Sequence, residues 1–105
     1  MRRLCEVLDA SSAEESVLAI KGEFDAACAE LFGDAATAML AKPGVHHDLA
    51  VDMSGVGFMD SAGLAAILAA YNAANRQGVR LWVREPTAHA RRVLETAGVA
   101  DLLGR

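Results

Sequence analysis

Asp60 and Ser61 sit side by side where the alternating run Leu49, Val51, Met53 gives way, through Gly55 and Gly57, to a helix-forming stretch. A carboxylate next to a hydroxyl at such a junction first suggests catalysis. Met59-Asp60-Ser61-Ala62-Gly63 has the outline of a nucleophile elbow, in which a serine follows a strand and opens a helix. Methionine, however, stands where that sharp turn needs its first glycine. The only histidine downstream, His89, falls inside a helical segment, and 105 residues are too few for the usual hydrolase sheet. No catalytic residue is assigned, and the chain is not expected to be an enzyme. Gly55-Val56-Gly57 begins like a dinucleotide fingerprint, but Asp60 occupies the third glycine position and opposes a pyrophosphate. His46 and His47 are neighbours without a third ligand at metal spacing. Neither a cofactor nor a metal is expected.

What remains is the segment from Val51 to Leu64 together with Gly22-Glu23-Phe24-Asp25. Both segments end where a helix begins. Adjacent strands would place Asp25, Asp60 and Ser61 on one edge of a sheet, forming a small acidic patch that bears a hydroxyl. Ser61 and Asp25 also suit plain helix caps, because Ser and Asp oxygens accept the unpaired N–H groups of a first turn. Gly63, one turn in, allows close packing, and Phe58 reads as a plug for the core.

The elements that must position these residues follow from periodicity. Leu4 to Leu8 reads as a strand, Asp9 to Glu15 as a polar turn, and Val17 to Ile20 as a second strand ending at Gly22, which together make a hairpin. Ala26 to Ala41 is rich in helix formers, with Cys28, Leu31, Phe32, Ala35 and Met39 on one stripe, and it stops before Pro43-Gly44. Leu49, Val51 and Met53 form a strand, and Ser54 to Asp60 reads as loop. Ser61 to Gln77 is a helix with Leu64, Ile67, Leu68, Tyr71 and Ala74 on one face, closed by Gly78. Val79, Leu81 and Val83 alternate with Arg80, Trp82 and Arg84 as a last strand, after which Pro86 opens a helix with Ala90, Val93, Leu94 and Ala97 along one side. Gly98 ends that helix, and Val99, Leu102 and Leu103 dock as a final short turn. A hairpin feeding two strand-helix-strand crossovers predicts an α/β domain spanning residues 1–105. Its mixed sheet would have four or five strands, with helices mainly on one face and the loops at the strand C-termini free for function. Trp82 then covers the second face or marks a contact surface, and cover is favoured.

Composition excludes several functions. Ten basic against fourteen acidic side chains give a net charge of −4, without the basic stripe that nucleic-acid phosphates require. No run reaches the ~18 apolar residues of a membrane span. Glu6 and Asp9 interrupt what would follow Met1-Arg2-Arg3 in a signal peptide. Cys5 and Cys28 are not in a Cys-x-x-Cys pair, so both read as reduced packing thiols of a cytoplasmic protein.

The run Phe58-Met59-Asp60-Ser61-Ala62-Gly63-Leu64, preceded by Val51-Asp52-Met53-Ser54-Gly55-Val56, closely resembles the signature of bacterial anti-sigma-factor antagonists, the small stand-alone STAS domains. Gly22-Glu23-Phe24-Asp25 is similar to their Gly-Glu-Leu-Asp segment, with Phe24 for Leu as the visible departure. Pro86 to Leu103 resembles the family's closing helices, so the likeness covers nearly the whole chain. It implies that Ser61 is phosphorylated by the partner anti-sigma factor, an ATP-dependent serine kinase. It also implies that the unphosphorylated form captures that partner and frees a sigma factor, and that a phosphatase resets phosphorylated Ser61. The docking surface so implied comprises Glu23, Asp25, Ser54, Gly55, Met59, Asp60, Ser61, Ala62, Gly63 and Leu64. A phosphate on Ser61 would meet unpaired N–H groups at the helix mouth, so the fold should tolerate it. STAS domains that serve as scaffold subunits, for example on a transport ATPase, share the architecture and give the alternative. The missing membrane span disfavours the transporter-attached kind.

Overall fold

A computed structural model describes residues 5–42 and 47–103. Its elements run β1 (Glu6–Asp9), β2 (Ser16–Phe24), α1 (Ala26–Ala41), β3 (Asp48–Met59), α2 (Ser61–Arg76), β4 (Arg80–Arg84), α3 (Ala88–Thr96) and a 3-10 turn at Ala100–Leu102. The expected α/β architecture is present. The sheet has four strands in the order β1-β2-β3-β4. β1 pairs with β2 antiparallel, and the β2–β3 and β3–β4 pairs are parallel.

The hairpin closes through side chains. Asp9 accepts the Ser11 N–H at 3.0 Å, Ser12 Oγ accepts from Glu14 and Glu15, and Ser11 Oγ accepts the Val17 N–H at 2.9 Å. These are the short polar residues that compete with regular structure for backbone groups, so the chain reverses there. Alternation then divides the sheet. Leu18, Ile20, Phe24, Leu49, Val51, Met53, Leu81 and Val83 are buried in a single core with Phe32 of α1, Ile67 of α2 and Leu94 of α3. Phe24 and Phe32 meet edge to face at 5.7 Å. On the opposite face, Val17, Ala50 and Trp82 stand in register across three strands. Trp82 is half-buried there.

Several expectations change. Ser54 to Met59 is strand, not loop, because the chain from Gly55 to Met59 pairs with β2 from Lys21 to Phe24, with register shifts between Ala19 and Lys21 and between Gly22 and Glu23. Gly22, at φ 104, supplies the local conformation that such an irregularity needs. The α1 stripe is rotated from the expected one: Cys28, Phe32, Ala36, Met39 and Leu40 face inward, and Leu31 is 51% exposed. In α3 the buried residues are Ala90 and Leu94, and Ala97 is exposed. Pro86 precedes that helix, and Thr87 caps it by accepting the Ala90 N–H. Phe58 does not plug the core, since it is 43% exposed.

Cys5 and Cys28 are not free thiols. They form a disulfide, with Cα atoms 5.6 Å apart, that ties the chain entering β1 to the first turn of α1. The pairing unites residues 23 apart in sequence, and neither spacing nor composition encodes such proximity. Among the described residues no helix is long and apolar enough to cross a membrane. Leu4, His46 and Pro43-Gly44 lie outside the described residues.

Candidate functional site

Two helices begin side by side at one end of the sheet because the strands before them end in register, Phe24 opposite Met59. Each start is capped by the carboxylate that follows the strand. Asp25 Oδ1 accepts the Cys28 N–H at 3.1 Å, as expected of an N-cap. Asp60 Oδ1 accepts the N–H groups of Ala62 and Gly63 at 2.9 and 3.2 Å. Asp60, not Ser61, therefore caps α2, and Ser61 is its first residue. The serine is exposed, and its hydroxyl makes no hydrogen bond among the described residues. A helix mouth normally offers donors to an anion, but here the Asp60 carboxylate already occupies two of them. The expectation that a phosphate on Ser61 would find those groups unpaired is thereby corrected.

The neighbouring residues hold this arrangement rigid. Gly63 is buried beneath β2, where a Cβ would lie 2.5 Å from the Phe24 carbonyl oxygen and 2.9 Å from its ring. Only glycine lets α2 approach that closely. The Asp60 N–H donates to the same Phe24 carbonyl at 3.4 Å, joining the two helix starts. Met59 is buried beneath them, Ala62 and Leu64 are half-buried, and Glu23 lies half-buried opposite Phe58. Ser54 and Gly55 lie elsewhere. Gly55 pairs with Lys21 in mid-strand, and the Ser54 N–H donates to Asp52 at 2.9 Å, so these two stand apart from the cluster around Ser61.

The start of α3 forms a third wall. β3 has 12 residues and β4 only 5, so β3 runs on past its neighbour with one edge uncovered. The start of α3 covers it. Thr87 Oγ1 donates to the Val56 carbonyl at 2.7 Å, and His89 Nε2 lies 3.2 Å from the Met59 carbonyl. A carbonyl only accepts, so this contact makes Nε2 the protonated nitrogen. The His89 ring also stacks on Phe58, with centroids 5.4 Å apart and planes 21° from parallel, which accounts for the exposed phenylalanine. Between α2 and α3 runs a groove of about 420 Å³ lined by Met59, Asp60, Ser61, Leu64, His89, Arg92, Val93, Thr96 and Ala97. Of its two basic-type residues, His89 figured in the sequence only as an unsuitable catalytic base, and Arg92 not at all. The contact from His89 to Met59 spans 30 residues, and no local pattern announces it. Thr87 after Pro86 was the one legible sign, a cap residue ahead of a helix.

Such an arrangement can present a hydroxyl to another protein, with an apolar groove on one side and an acid on the other. The chain is thus a small α/β domain with two helix starts paired at one end of its sheet. The chain belongs to the family described as Mlab, STAS domain, whose model matches residues 7–104. No curated protein matches it. Among solved structures it is similar to an anti-sigma factor antagonist from Mycobacterium paratuberculosis, at 24% identity and TM-score 0.82 over 95% of this chain and 83% of that one. SpoIIAA, an anti-sigma factor antagonist, is similar in its unphosphorylated form at 20% identity and TM-score 0.78, covering 94% and 86% of the two chains. Its phosphorylated form, from Bacillus, is similar at 18% identity and TM-score 0.72, covering 96% and 89%. The STAS domain of a SulP transporter from Vibrio cholerae matches at 23% identity and TM-score 0.65, over 82% of this chain and 65% of that one. At these identities the likeness establishes a shared fold.

Proposed function

We propose that this protein is an anti-sigma-factor antagonist whose docking is switched at Ser61. The observation that carries the proposal is the Ser61 hydroxyl, exposed at the first position of α2 with its capping role taken by Asp60. In the proposed cycle the unphosphorylated protein binds an anti-sigma factor with serine kinase activity and releases a sigma factor. The kinase then moves the γ-phosphoryl group of ATP onto Ser61 Oγ, the hydroxyl proton leaves to solvent or a kinase base, and ADP departs. A phosphatase restores the serine by hydrolysis. The protein acts throughout by binding and catalyses none of these steps.

The size of the effect suits a switch. Two negative charges about 6 Å from one partner carboxylate, at an effective dielectric of ~20, repel by on the order of 5 kcal/mol. Even half of that weakens binding roughly a hundredfold. Sigma factors act in the cytoplasm, which keeps most thiols reduced, so the Cys5–Cys28 bond pulls against that location.

Incubation with candidate anti-sigma kinases and ATP, followed by intact mass, tests the proposal. One phosphate adduct is expected, and it should vanish in Ser61→Ala. The alternative reading is a STAS scaffold subunit that binds a partner such as a transport ATPase without being phosphorylated, and membership of the STAS family fits it equally. A scaffold would bind its partner and gain no phosphate.

A further inference from the structure

The geometry points to Arg92, seconded by His89, as an internal receptor that draws a phosphate on Ser61 into the groove between α2 and α3. This rests on Ser61 being the modified residue and adds where the phosphate goes. Three observations carry it. First, the N–H groups of Ala62 and Gly63 are held by Asp60, so a phosphate on the adjacent oxygen meets a carboxylate there and, of the N–H groups of residues 61–63, only that of Ser61 itself remains open to it. Like charges repel, so the Asp60 carboxylate disfavours that side of the helix mouth. Second, Arg92 lines the same groove as Ser61 and is uncommitted. Arg84 is paired with Glu15 and Asp52, and Arg91 with Glu95, whereas Arg92 makes no ion pair or hydrogen bond among the described residues. Guanidinium groups bind phosphate oxygens through parallel donors, the strongest side-chain pairing open to this anion. Third, His89 is held in place by the Met59 carbonyl and by Phe58, with Nε2 the committed donor. Nδ1 has no partner among the described residues and becomes a second donor once the ring is protonated.

The ionisable residues lining the groove are Asp60, His89 and Arg92. Of their close neighbours, Glu95 is engaged with Arg91, and Glu23 lies opposite Phe58 on β2. Asp60 repels the phosphate and α3 attracts it, so the modified side chain swings toward α3. Two consequences follow for docking. The phosphate fills the mouth of an otherwise apolar groove, and it removes from the surface a cation that the unmodified protein can offer to a partner's acidic residue.

The test uses the full chain with phosphoserine installed at position 61, so it does not depend on any kinase. The second ionisation of the phosphate, about 6 in a free phosphoserine, is followed by phosphorus NMR across a pH titration. It should lie lower in the wild-type background than in Arg92→Gln by roughly half a unit or more, because a paired cation favours the dianion. Arg91→Gln, on the same helix with its charge already paired, should leave the phosphate where it was. Equal ionisation in wild type and Arg92→Gln overturns the receptor, as does an equal effect of Arg91→Gln, which would indicate a diffuse field. A shift at Arg92 with no adduct from any kinase would leave the receptor standing and defeat the switch.

Discussion

Ser61 and Gly63 show how narrowly two residues of one turn are constrained, for opposite reasons. Ser61 is left free because its neighbour took the capping role, and Gly63 is pinned because another strand's backbone occupies the space a side chain would need. Gly63→Ala sets two effects against each other. Alanine is the better helix former by about 1 kcal/mol, but its Cβ would stand 2.5 Å from the Phe24 carbonyl oxygen, a backbone atom that moves only with β2. Overpacking of this kind costs about 1–3 kcal/mol, so a net loss of stability is expected, read as a lower urea midpoint with unchanged slope. A midpoint equal to or above wild type would show that α2 can slide away freely.

At the scale of elements, the edge strand depends most on a covalent bond. β1 has 4 residues, of which Glu6, Leu8 and Asp9 are exposed. Its packing on the core comes chiefly through Val7, and the Cys5–Cys28 disulfide anchors its start to α1. Closing a loop of that length restricts the unfolded chain by about 3 kcal/mol in the chain-entropy account. For a domain near 100 residues this corresponds to a melting temperature lower by roughly 10 °C or more when the bond is opened. Dithiothreitol and Cys5→Ser should give matching drops, and an unchanged melt would mean that the hairpin holds itself. β3 and α3 are coupled differently. The length mismatch between β3 and β4 leaves carbonyls uncovered, and Thr87 and His89 satisfy those of Val56 and Met59.

For the whole molecule, acid sensitivity traces to carboxylates used on folding. Burial pushes the Asp52 carboxyl up, but hydrogen bonds from Ser54 and the charge of Arg84 outweigh it and hold the group below its ordinary value of 3.8. Asp9 is lowered by its hydrogen bonds from Ser11 and by Lys42. A carboxyl whose folded pKa is depressed stabilises the protein above its unfolded pKa, and that stability is lost as pH falls through the folded one. Stability should therefore decline below about pH 4. Asp52→Asn should flatten the decline and cost stability at neutral pH, with the two proteins converging near pH 2–3. Urea midpoints measured across pH check this, and parallel curves would remove Asp52 from the account.

Periodicity and punctuation alone determined the element order, the hairpin, the two crossovers, the Asp25 cap and the neighbourhood of Ser61. These depend on residues close in sequence, where apolar spacing, glycines and cap residues act directly. Tertiary structure decided the rest. Ser54 to Met59 has the composition of a loop and becomes strand only because β2 lies alongside it. Leu31 fits the α1 stripe as well as Ala36 does, and the angle at which α1 meets the sheet chose Ala36. Cys5 with Cys28, and His89 with Met59, meet only once the sheet exists. Local propensity specifies where the chain bends and which side is apolar, whereas contacts between distant segments are fixed by packing that no single segment encodes.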